Sequence, residues 1–154
     1  APAVSGGVPI GNAGEVLSPF RGEQIEFGLK IDRGNYSGNI AVFELSRPNS
    51  IVENGLFTNG GEQQSRGVEL SVFGEPLRGV RVIGGASFID ASLERTTGGL
   101  NQGNDPIGVP DVQANGNIEW DVPHVPINDA ATRVIYTSSQ YINTANTFTI
   151  PSWT

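Results

Sequence analysis

Cysteine and methionine are absent from the chain, histidine occurs once (His124) and lysine once (Lys30). Without cysteine there is no disulfide-stapled miniprotein, no Cys-ligated zinc module and no thiol enzyme. One histidine leaves no His-x-x-x-His pair, and a nucleophilic triad would have to recruit it from between Pro123 and Pro126. Neither a Gly-x-Ser-x-Gly elbow nor a phosphate loop is present. These absences argue against an enzyme. Positive charge is scarce too: Lys+Arg 9 stand against Asp+Glu 16, for a net charge of −7. Nucleic acid demands a basic patch, so no nucleic-acid partner is expected. No apolar run approaches the roughly 18 residues of a spanning helix, and the N-terminus does not read as a signal peptide. The length of 154 residues is that of one ordinary domain, and the missing initiator methionine suggests processing or excision from a longer chain.

What the chain has is alternation. In Gln24–Ile31, Ile25, Phe27, Leu29 and Ile31 fall on one face and Glu26, Gly28 and Lys30 on the other, the period of a strand with one wet side. A short turn, 32–35, leads to a return strand over 36–46, with Ala41, Phe43 and Leu45 opposing Asn39, Val42 and Glu44 less cleanly. Residues 47–61, rich in Asn and Gly, read as a looser stretch. Alternation resumes over 63–73, with Val68, Leu70 and Val72 opposite Gly67, Glu69 and Ser71. After a turn at 74–79 come a fourth strand over 80–93, a long loop over 94–111 and a fifth strand over 112–122. A Pro-containing turn at 123–129 precedes a sixth strand over 132–141, and residues 142–154 begin another loop.

Short connections thus alternate with long ones. The strands are long enough to match the roughly 9–11 tilted residues that cross a bilayer, and such loop asymmetry is typical of outer-membrane barrels. Periodicity alone leaves a soluble all-β binding module open, such as a carbohydrate-recognition sandwich, because its strands alternate as well. The polar face, with its Asn, Gln, Gly, Ser and acids, suits a water-filled lumen better.

Five phrases, taken in order, resemble the barrel of TonB-dependent siderophore receptors of Gram-negative outer membranes. They are NAGEVLSPFRGEQIEFGLKID (12–32), AVFELSRPN (41–49), GEQQSRGVELSVFG (61–74), GVPDVQANGNIEWDVP (108–123) and QYINTANTFTIPSWT (140–154). The third carries Gly-Glu-Gln-x-Ser-Arg-Gly-Val-Glu, a phrase typical of the family. Departures are modest: Asn143 stands where Asp is common, and Trp153 where Tyr is common.

The resemblance implies an all-β fold, an antiparallel up-and-down meander of about six long strands forming a segment of a 22-stranded transmembrane β-barrel. Residues 1–154 would be a partial barrel domain, without plug domain, TonB box or last strands. It implies TonB-dependent uptake of ferric siderophores at the outer membrane. The partners would be the ferric siderophore, outer-membrane lipid, and the TonB complex through the absent N-terminal region. Iron would travel inside its chelate, so no cofactor or protein metal ligand is expected. Ile25, Phe27, Leu29, Ile31, Val68, Leu70, Val72, Ile118 and Trp120 would face lipid, with Trp120 at the periplasmic interface. Arg66, near a strand end, would reach to the interface. Glu26, Lys30, Glu44, Glu69, Glu119 and Asp121 would face the lumen. Phe57, Asn101, Asp105 and Tyr141 are the candidate ligand contacts on external loops and upper lumen.

Overall fold

The computed structural model describes residues 1–5, 7–123 and 129–154. A small ladder, β1 (Val4–Ser5) and β2 (Val8–Pro9), opens the chain. Six strands then form one sheet: β3 (Glu23–Asp32), β4 (Tyr36–Glu53), β5 (Leu56–Leu77), β6 (Val80–Arg95), β7 (Val112–Asp121) and β8 (Asp129–Thr137). Their order in space is their order in sequence and every pair is antiparallel, which makes the expected meander. The consecutive order in a single sheet excludes the crossed connections of a sandwich. A one-turn 3-10 helix (Thr97–Gly99) sits in the long β6–β7 loop, and β9 (Gln140–Tyr141) pairs with β10 (Thr149–Ile150).

Three expectations need correction. The stretch 47–61 is not loose: β4 and β5 stay paired up to Glu53 and Leu56, so β5 runs for 22 residues, about 73 Å at ~3.3 Å per residue. The tip, Asn54-Gly55, has φ of 51° and 77°, the left-handed pair that closes a two-residue hairpin in register with strand twist. The ladder shifts register between Asn49 and Ile51, next to Pro48, which lacks an N–H to donate. Gly61 lies opposite this bulge, and a Cβ there would meet the Asn49 side chain and come within 2.6 Å of Ile51 Cγ2. Second, the 74–79 turn is a tight one: Leu77 pairs with Val80 across Arg78-Gly79. Third, the sixth strand ends at Thr137, and Tyr141 belongs to the separate β9–β10 ladder. Of the expected 123–129 turn, residues 124–128, His124 among them, lie outside the described residues.

Little of the molecule is covered. Ile10, Ala41, Ile51, Ala91 and Leu93 are the buried apolar side chains among the described residues. The accessible surface is 10420 Å² for 16.3 kDa, against roughly 7,500 Å² for a globular monomer of that mass. A single uncovered sheet leaves both faces open, and on the apolar one Ile31, Phe27 and Leu29 are 59%, 73% and 74% exposed.

Candidate functional site

Residues directly opposite in an antiparallel ladder point to the same side, so the register sorts every strand residue onto one of two faces. On the first face, rows run across the sheet without interruption. Phe27, Val42, Val68, Phe88 and Val112 make one row, and Leu29, Ile40, Leu70, Ala86, Ala114 and Tyr136 the next. Toward the short turns follow Ile31, Gly38, Val72, Gly84, Gly116 and Val134, and finally Val80, Trp120 and Ala130.

The band stops abruptly at the other end. Its next row is Ile25, Glu44, Arg66 and Asp90. Arg66 Nε donates to Glu44 Oε2 at 3.0 Å, so Arg66 stands at the rim as expected. Glu44, expected in the lumen, is here instead: it shares parity with Ile40 and Val42 and meets Arg66. The ten steps from Asp90 back to Val80 span about 33 Å along the strand at ~3.3 Å each, which the roughly 40° tilt usual in transmembrane barrels would make a band about 25 Å tall. That is the hydrocarbon height a transmembrane barrel presents. Trp120 and Tyr36 lie near the short-turn rim, where amphipathic rings are favoured.

The opposite face is largely polar at mid-height. Lys30, Asn39, Ser71, Gly85, Asn115 and Ile135 form one row, and Glu69, Ser87, Gln113 and Thr137 lie in the adjacent one. Phe43, Phe73 and Ile83 belong to this face as well. Near the short turns Arg81 donates from Nε to Glu119 at 3.1 Å and from both terminal nitrogens to Asp121, at 2.7 and 3.1 Å. The Phe43 ring lies over Gly67, whose hypothetical Cβ would come within 2.7 Å of Phe43 Cζ, while Phe73 on the same face pairs with Ser37 and Ile83.

The long hairpin and loops rise beyond the charged row, and the candidate contacts are found there. Phe57 is half-buried one pair below the β4–β5 tip, opposite Val52. Asn101 and Asp105 lie in the β6–β7 loop, and Tyr141 in β9. The loop carrying Asn101 and Asp105 is bonded to the β9–β10 segment. Asn101 Nδ2 donates to Thr144 Oγ1 at 3.1 Å, Asn104 Nδ2 to the Thr144 carbonyl at 2.9 Å, and Gly108 N–H to the Tyr141 carbonyl at 2.9 Å. Three of the four candidates therefore share one interlocked pair of loops. Phe57 lies on the neighbouring hairpin, joined to that loop where Val52 N–H donates to Thr97 Oγ1 at 3.0 Å.

Asp105 is half-buried, and desolvation, followed by the charges of Asp111 and Asp90, raises its carboxyl above the ordinary range. Among the described residues no group of three or more His, Cys, Asp or Glu is placed to hold a metal ion. Asn12, Thr97, Asn104, Thr144 and Asn146, which tie the loops together, are not among the expected site residues. Their partners lie about forty residues away, and only the Asn-x-x-Asn spacing of 143–146 hints at them.

Residues 2–154 match the family described as TonB dependent receptor-like, beta-barrel. The chain is 38% identical over its whole length to the ferrichrome receptor FcuA of Yersinia enterocolitica, covering 21% of that protein. It is 31% identical over 94% of its length to the ferrichrome outer membrane transporter/phage receptor of Escherichia coli, covering 20% of it. The chain thus spans about a fifth of these relatives. The crystal structure of BauA, the ferric preacinetobactin receptor of Acinetobacter baumannii, superposes on 94% of the chain with a TM-score of 0.83 and 34% identity, covering 23% of that receptor. The siderophore receptor PiuA of the same organism gives 0.83 at 20% identity, with 94% of this chain and 22% of that one covered, a likeness of fold.

Proposed function

Because the chain belongs to the TonB dependent receptor-like β-barrel family, we propose that it is a wall segment of an outer-membrane receptor taking up ferric siderophores. One observation carries this reading: the register builds a continuous apolar band on one face, about 25 Å tall at the roughly 40° tilt usual in barrels, bounded by the Glu44–Arg66–Asp90 row, with a largely polar wall behind it. The band faces lipid and the polar wall lines the aqueous interior of a 22-stranded barrel, the remaining strands and the plug coming from the rest of the receptor. The open edges of β3 and β8 need such neighbours, since unpaired backbone is not tolerated in hydrocarbon.

Phe57, Asp105 and Tyr141, on clustered external segments, contact the incoming chelate, and Asn101 holds the loop that carries Asp105. The siderophore keeps its iron coordinated, and the protein supplies aromatic and polar surface, not metal ligands. Movement through the barrel depends on the TonB complex acting on the absent N-terminal region. Two relatives above 30% identity are a ferrichrome receptor and a ferrichrome transporter by name, which makes ferric ferrichrome the first ligand to test. The full-length protein, expressed in a receptor-deficient Gram-negative strain, is expected to import labelled ferric ferrichrome or another ferric siderophore only when TonB is present. Failure with a broad siderophore panel, or import that survives loss of TonB, contradicts the reading.

A further inference from the structure

The same side-chain device occurs twice above the band. Asn12 donates from Nδ2 to the Phe57 carbonyl at 2.9 Å while its Oδ1 accepts the Phe57 N–H at 2.9 Å. Asn146 treats Asp105 alike: Oδ1 accepts the Asp105 N–H at 2.8 Å and Nδ2 donates to the Asp105 carbonyl at 3.0 Å. A planar carboxamide offers a donor and an acceptor side by side. It therefore satisfies both main-chain groups of one residue, as a neighbouring strand would. Both partners are remote in sequence, so these bonds join segments and do not shape turns.

In the 143–148 turn the local closure falls mainly to Asn143, with one long bond from Asn146 Nδ2 to the Asn143 carbonyl at 3.4 Å. Asn143 closes the turn, with Oδ1 accepting the Thr147 and Phe148 N–H groups at 3.1 and 3.2 Å and Nδ2 donating to Thr147 Oγ1 at 2.7 Å. Asn146, at φ 54°, a conformation asparagine tolerates, reaches across to the other loop.

We propose that Asn146 and Asn12 are positioning residues, each clamping an external segment to the main chain of its neighbour. Segments 101–108 and 142–148 then move as one body, and segments 10–14 and 55–58 as another. The first clamp sets Asp105 relative to Tyr141, and the second sets Phe57. Both clamps are made by groups of this chain alone, so they do not depend on which chelate is carried.

Hydrogen-exchange mass spectrometry of the unliganded full-length protein in detergent tests it. Asn146→Ala is expected to speed exchange about tenfold in both 101–108 and 142–148 while 55–58 is unchanged, because each lost bond lowers the local opening cost of both partners. Asn12→Ala should do the reverse, affecting 10–14 and 55–58 only. Acceleration confined to 142–148, or unchanged exchange at 101–108, overturns the proposal. Asn146→Asp keeps the left-handed tolerance and the acceptor but loses the donor. It must accelerate 101–108 to an intermediate degree, and wild-type exchange there overturns the clamp even if the alanine variant fails to assemble.

Discussion

The two faces of the six-stranded sheet are built from the same backbone, residue by alternate residue, yet they ask for different solvents. On one face Leu29, Ile40 and Leu70 lie side by side and uncovered; on the other, Lys30, Asn39 and Ser71 occupy the same strands one residue further on. A soluble sandwich would cover the first face with a second sheet, and among the described residues none does so. The comparison teaches that exposure is no defect here. An apolar face bounded by a charged row at one end and by Trp120 and Tyr36 near the other is finished as it stands, once lipid replaces water.

The sharpest way to break the comparison is to move charge across it. Leu70→Arg, at mid-band, is expected to destabilise the assembled receptor by about 2–4 kcal/mol, whereas Ser71→Arg, one residue away, stays within about 0.5 kcal/mol. Urea unfolding of the full-length protein in lipid vesicles measures both, and equal costs would erase the distinction between faces. Glycines give a second contrast. Gly67→Val drives a branched side chain into Phe43 and the Phe88 carbonyl, for about 1–3 kcal/mol. Gly116 has open space around its hypothetical Cβ, so Gly116→Ala is close to neutral in the same assay.

At the boundary between band and loops the effects shrink. Glu44→Gln removes the partner of Arg66, but both side chains are more than half exposed, so the loss is below about 1 kcal/mol and vanishes in high salt. The smallest effect lies in the loops. Folding raises the Asp105 carboxyl, so the loop is held best below the ordinary carboxylate value and loosens as pH rises through the raised one. Asp105→Asn is expected to slow hydrogen exchange of 101–108 at neutral pH and to flatten its dependence on acid. Unchanged pH dependence would show that Asp105 does not titrate against Asp111 and Asp90.

Much of the band was legible in the sequence because alternation is a local property. Ile25 to Ile31 and Val68 to Val72 declare their parity without help from neighbours. Glu44 was misplaced because Ala41, Phe43 and Leu45 read as the apolar side of β4, whereas the register puts Ile40 and Val42 there, with Glu44 opposite Arg66. The 47–61 stretch was hidden by its Asn and Gly content, although Asn54-Gly55 is itself a hairpin signal. Tyr141 lies beyond the sixth strand because the pairing with β7 ends at Thr137, and Ser138-Ser139 carry no pattern that marks the end. The loop network was illegible for a plainer reason: Asn12 and Phe57, or Asn146 and Asp105, become neighbours only after the sheet has formed.

The most direct test of the account is the environment of adjacent residues 70 and 71. Single cysteines placed there in the full-length receptor, with any cysteines elsewhere replaced, carry a nitroxide label, and its relaxation is read against oxygen and a water-soluble nickel chelate in native-like membranes. The account predicts a label at 70 that oxygen reaches and the nickel chelate does not, with the opposite preference at 71. A label at 70 that meets the water-soluble reagent, or neither reagent, would contradict it.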